Sequence, residues 1–163
     1  MIRTEKYLKI ASDFFNNNPE YLLEPLASEM NTTHKNIPAI MIALEESGID
    51  GYDIDELMLS IITIWYAIVK VKKIRIKRIT KSNIIKNIEK WNEFLNYFNK
   101  SDDSERRELQ FINREKELNI FATTVLKNIY MSPSMIPEEV ATVYYGIVKS
   151  FEDKLYESNG EFS

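Results

Sequence analysis

Cysteine is absent from this chain of 163 residues, histidine occurs once, glycine four times and proline five times. Without a thiol there is no disulfide and no thiolate metal site, which fits a reducing compartment; a cytoplasmic protein is expected. The lone His34 cannot build a multi-histidine metal centre, and four glycines supply no glycine-rich phosphate loop. No metal and no cofactor is therefore expected. Long apolar runs are missing too. The longest uncharged stretch, Leu57 to Val69, has thirteen residues, against about 20 for a membrane span. Glu5, Lys6 and Lys9 interrupt the N-terminus, so no apolar signal core forms there. No membrane partner is expected.

What the chain does have is isoleucine, lysine and asparagine in abundance, the bias of AT-rich genomes, which include those of many phages, mobile elements and low-GC bacteria; a viral or mobile-element source is one expectation among these. The length suits one domain that buries roughly two-thirds of its unfolded surface. Helical periodicity dominates. Tyr7, Leu8, Ile10, Ala11, Phe14 and Phe15 recur at helix spacing until Asn16-Asn17-Asn18-Pro19. A second helix is expected over 20–30 and a third over 34–46, with Gly48 suited to its C-cap. Asp53 with Glu56 would form a capping box for a fourth helix. That helix carries Ile54, Leu57, Met58, Ile61, Ile62, Trp65, Ile68 and Val69, is apolar nearly all round, and should be the most enclosed. Ser82 or Asn83 would cap a fifth to Asn99, with Ile84, Ile85, Ile88, Trp91, Leu95 and Phe98 inward. After a break at 101–104, a helix is expected over 104–130, then a loop over 131–137. Pro137 would open a last helix carrying Val140, Val143, Tyr144, Ile147, Val148, Phe151 and Leu155, with Glu138 and Glu139 in its first turn. The fold class is all-α, a single bundle of about six to seven helices. Residues 1–69 form its N-terminal part, 70–81 a basic connector and 82–163 a C-terminal bundle.

The connector reads KVKKIRIKRITK, and seven of its twelve residues are Lys or Arg. Over residues 70–90 the net charge is +8, whereas the whole chain carries −4. Lys73-Ile74-Arg75-Ile76-Lys77 alternates with period two, as in a half-buried strand or short hairpin; an exposed helix end is the other reading. Clustered cations neutralise phosphates and release counterions, so Lys70, Lys72, Lys73, Arg75, Lys77, Arg78 and Lys81 are candidate nucleic-acid contacts. A charge block this dense on an acidic body favours a polyanion or an acidic protein surface over an idle solvated face.

Residues 25–48, PLASEMNTTHKNIPAIMIALEESG, resemble a helix-turn-helix unit. Ala27 is the small residue of the first helix, Met30 the apolar one three positions later, Asn31-Thr32-Thr33 the turn, and Ile37 with Ile40 the inward pair of the second helix. The resemblance implies DNA contact through Lys35 and Asn36. Pro38 sets a condition, because inside a helix it costs about 3 kcal/mol. It is harmless only if the second helix begins near Asn36.

Other constellations lead to structure sooner than chemistry. Asp50, Asp53, Asp55 and Glu56 lack the calcium-loop spacing and suit an acid-rich helix start. Adjacent acids such as Glu45-Glu46 diverge on a helix and cannot act on one bond. His34, near a helix start, is expected at the surface. The expected function is a non-enzymatic, nucleic-acid-associated regulator, with 82–163 serving homodimerisation or partner docking. The alternative is a helical protein–protein adaptor or inhibitor whose basic block meets an acidic protein surface. A small helical hydrolase or nuclease is a third class.

Overall fold

The computed structural model describes residues 2–17, 23–99 and 138–159. The helix expected over 104–130, the break before it and the loop after it lie outside the described residues. Within them the chain is all-α: α1 (Ile2–Asn17), α2 (Leu23–Thr33), α3 (Asn36–Glu46), α4 (Gly51–Tyr66), α5 (Lys81–Asn99) and α6 (Glu138–Asn159).

Local chemistry sets the element ends, in places not where the sequence suggests. The turn of the helix-turn-helix-like unit is His34-Lys35, not Asn31-Thr32-Thr33, which continue α2. The Thr32 hydroxyl donates back to the Ser28 carbonyl at 2.7 Å, which satisfies that side chain inside the helix. Pro38 is thereby the third residue of α3, where a missing N–H costs nothing. The inward assignment stands: Met30 and Ile37 are fully buried and Ile40 is half-buried. Helix α3 closes with Gly48 at φ +96°; its N–H donates to Glu45 and that of Ile49 to Leu44, the paired bonds of a Schellman cap. Asp50, not Asp53, caps α4, because its extended backbone lets its carboxylate accept the Tyr52 N–H at 2.8 Å. Thr80, not Ser82 or Asn83, caps α5: its hydroxyl oxygen accepts the Asn83 N–H at 3.1 Å, and Asn83 Oδ1 accepts the Thr80 N–H at 3.2 Å.

The core joins α2, α3, α4, α5 and α6 around Leu57, Ile61, Ile62, Trp65, Ile84 and Ile147. Helix α4 is buried as expected, but α6 is enclosed more completely: Tyr145 to Glu152 are eight successive buried residues. Helix α5 lies close against α6, where Gly146 leaves room for Ile88; a Cβ there would stand 2.8 Å from Ile88 Cγ1. Trp91 stacks on Tyr145 across the same seam, ring centroids 4.7 Å apart. Helix α1 covers the other end of α4, with Phe14 stacked on Tyr66 at 4.6 Å. Ile85, expected inward, stands 45% exposed, and Ile10 of the α1 apolar repeat 42%.

Candidate functional site

The basic stretch begins where α4 loosens. Ala67–Val71 form a π turn in which the Lys72 N–H donates to the Ala67 carbonyl. Lys73 then takes a left-handed backbone, φ +60°, the sole non-glycine to do so among the described residues, while the Ile74 N–H returns to the Ile68 carbonyl. From 73 to 80 the chain is neither helix nor hairpin. It is an irregular strap with no partner strand among the described residues. The period-two pattern survives without a sheet: Ile76 and Ile79 are buried and Ile74 half-buried, while Lys73, Arg75, Lys77 and Arg78 are exposed.

Side chains replace the missing ladder at the far end. Ile79 donates its N–H to His34 Nδ1 at 3.3 Å, and its carbonyl accepts from Asn36 Nδ2 at 3.1 Å. Both polar groups of one strap residue are thus held by the α2–α3 turn. His34 is therefore not at the surface; it is 1% exposed and packs on Phe151 at 5.0 Å between ring centroids. Because Nδ1 accepts, the ring proton sits on Nε2. Burial first, and the Arg78 guanidinium second, lower its pKa from 6.5 to about 4.

That shift has a sign. The fold prefers the neutral ring, so its contribution is complete above the unfolded value of 6.5 and fades as pH falls towards about 4. Between about pH 7 and about pH 5 the loss is about 2 kcal/mol. His34→Asn, which keeps an acceptor near the Nδ1 position, should flatten the pH dependence of the urea midpoint over that range. Identical pH profiles for the two proteins would refute the assignment.

Strap and α2 enclose an open groove of about 470 Å³. Lys73, Arg75, Lys77 and Arg78 form its exposed rim; Trp65, Val69, Ile74 and Ile76 form its apolar floor. Glu29 and Thr33 of α2 make the opposite wall, and His34 lines the groove as well. The predicted contacts therefore divide. Lys73, Arg75, Lys77 and Arg78 come together. Lys70 is drawn aside: its ammonium pairs with Glu29 at 2.6 Å and lies 5.7 Å from the Trp65 ring centroid. Lys72 sits over the Tyr7 ring at 5.3 Å. Lys81 is exposed as the first residue of α5. Lys35 is exposed but lines a separate groove along α2, with Glu24, Ser28 and Thr32. Asn36 has its amide committed to Ile79. Among the described residues Lys73, Lys77 and Arg78 form no ion pair, whereas Arg75 and Lys72 have partners of their own.

The exposed positions of α3 are Ala39, Ile42, Ala43, Glu45 and Glu46. None donates a hydrogen bond from its side chain, and two are anionic, so this helix has little with which to read base edges. Glu29, Thr33 and His34 were not legible as site residues, since their role depends on the strap folding back over α2. No cluster of three or more metal-ligating side chains occurs among the described residues, and no helix there is long and apolar enough to cross a membrane. Comparison of the chain with protein-family models, curated proteins and solved structures finds no match.

Proposed function

We propose that this chain is a non-enzymatic nucleic-acid-associated regulator that contacts the phosphate backbone through the strap. The observation that carries the reading is the rim: four exposed cations around one groove, three of them without a carboxylate partner among the described residues, on a chain of net charge −4. Lys73, Arg75, Lys77 and Arg78 fall within six residues and are all exposed. Cations clustered this closely suit the closely spaced phosphates of a nucleic-acid backbone. The strap is also held in place before any ligand arrives, by the π turn at one end and the His34–Ile79–Asn36 clamp at the other. Contacts to phosphate position a protein without specifying sequence. Specificity through α3 is not part of the reading, given what that helix exposes.

The second reading, a helical adaptor binding another protein, draws on Ile42, which stands 57% exposed on α3 beside Ala39 and Ala43. Salt separates the two. Four phosphate contacts should give a log–log slope of affinity against salt of about −3 to −4. Titration of a labelled oligonucleotide at several salt concentrations measures it. A flat salt response, or no binding at low salt, removes the nucleic-acid reading and leaves the adaptor.

A further inference from the structure

We propose that the groove between the strap and α2 receives one unstacked nucleotide, so that the chain prefers single-stranded nucleic acid to duplex. This rests on the phosphate-binding reading above and adds the class of strand. The argument starts from the shape of the cationic surface. A rim of charges on a flat or convex face would serve any polyanion. Here the cations line one side of an open recess of about 470 Å³, a volume within the roughly 300–1,000 Å³ range of small-molecule sites.

The recess is chemically two-sided. Its accessible floor is aliphatic, supplied by the half-buried Val69 and Ile74 over the buried Trp65 and Ile76, while Thr33 on the α2 wall offers a hydroxyl. Glu29 is the one acid lining it, and Lys70 already compensates that charge at 2.6 Å. A ligand that satisfies both parts must carry anionic charge beside a flat, largely apolar body. A nucleotide does, with phosphate on the rim and base over the floor. A duplex cannot present this pair, because its phosphates lie outside and its bases are stacked within. It can lie across the rim, but the recess below would stay filled with water. A single strand can turn one base inward at little cost, since that base is already partly unstacked.

Lys73 adds a separate observation. A left-handed backbone is costly for a lysine, yet the chain adopts it where the strap leaves the π turn, at the rim of the recess. Lysine at that position gives up backbone ease and supplies a charge that glycine would not.

The test uses the full-length protein. Anisotropy titrations at one fixed salt concentration compare a labelled single-stranded oligothymidine with a duplex of equal length. The single strand is expected to bind about tenfold tighter, from a base that covers about 50 Å² of aliphatic surface. Thr33→Phe places a ring in the recess from an exposed position of α2 and changes no charge. It should abolish the single-strand preference, leave duplex affinity in place and keep the wild-type melting temperature. Equal affinity of the wild-type protein for the two ligands overturns the proposal while the phosphate reading stands. So does a preference that persists in a folded Thr33→Phe. The wild-type comparison decides the matter even if the variant fails to fold. Absence of binding to either ligand overturns the phosphate reading as well.

Discussion

Trp65→Ala should lower the stability of the fold by about 3–5 kcal/mol, a large part of the roughly 5–15 kcal/mol that holds a domain together. The indole is 3% exposed and belongs to the central cluster with Ile61, Ile68 and Ile147. Its removal leaves a cavity that helices on several sides cannot collapse into together. A chain of this length should lose on the order of 10 °C in melting temperature. Urea denaturation monitored by circular dichroism measures the change. Trp91 is buried to 1% as well, so iodide should quench neither indole of the native protein. Free quenching by iodide, or a loss below about 1 kcal/mol, would show that the α4 core has been placed wrongly.

Reversal of the three cations without an ion-pair partner, Lys73→Glu, Lys77→Glu and Arg78→Glu together, should reduce oligonucleotide affinity at low salt by about a hundredfold or more. The salt slope should fall to about −1, the share of a single remaining cation. The melting temperature should scarcely move, because exposed charges contribute at most about 1 kcal/mol each and these three meet no carboxylate among the described residues. The same variant changes the surroundings of His34. The Arg78 guanidinium helps to hold that imidazole low, so a glutamate in its place should raise the His34 pKa, readable by NMR on the only histidine in the chain. A variant that melts much earlier would mean that the strap charges neutralise the protein's own acids. A variant that binds oligonucleotide as before would remove the strap from the interface.

The sequence revealed most of the helices, because the apolar spacing of α1, α3, α4, α5 and α6 is unambiguous. It misplaced their ends where two capping residues compete within a few positions. Asp50 and Asp53, or Thr80 and Asn83, have similar chemistry, and only the backbone angle decides which one caps. Asn31-Thr32-Thr33 carries turn-forming residues, yet it stays helical because Thr32 bonds back to Ser28. The alternation of the strap was visible, and so was the exposure of its charges, since lysine and arginine resist burial without partners. The groove was not visible. It exists because Ile79 is held by His34 and Asn36, residues more than forty positions earlier in the chain. The enclosure of α6 was hidden for a different reason: Lys149, Ser150 and Glu152 are buried yet read as an outward face.

That enclosure imposes an order in time. Residues 138–159 leave the ribosome after every other described segment, yet they fill the space between α4 and α5 and bring Phe151 against His34. Until they arrive, the inward faces of Ile61, Ile62 and Ile84 have no cover from α6. Contacts that join distant parts of a chain form late and slow the search for the native state. A nascent chain that pauses before residue 138 would expose a sticky, half-built interior, the kind of surface on which partly made proteins aggregate or recruit chaperones. Helix α6 thus works as a closing step for the described part of the fold, and the clamp on the strap becomes fully packed only once synthesis has passed it.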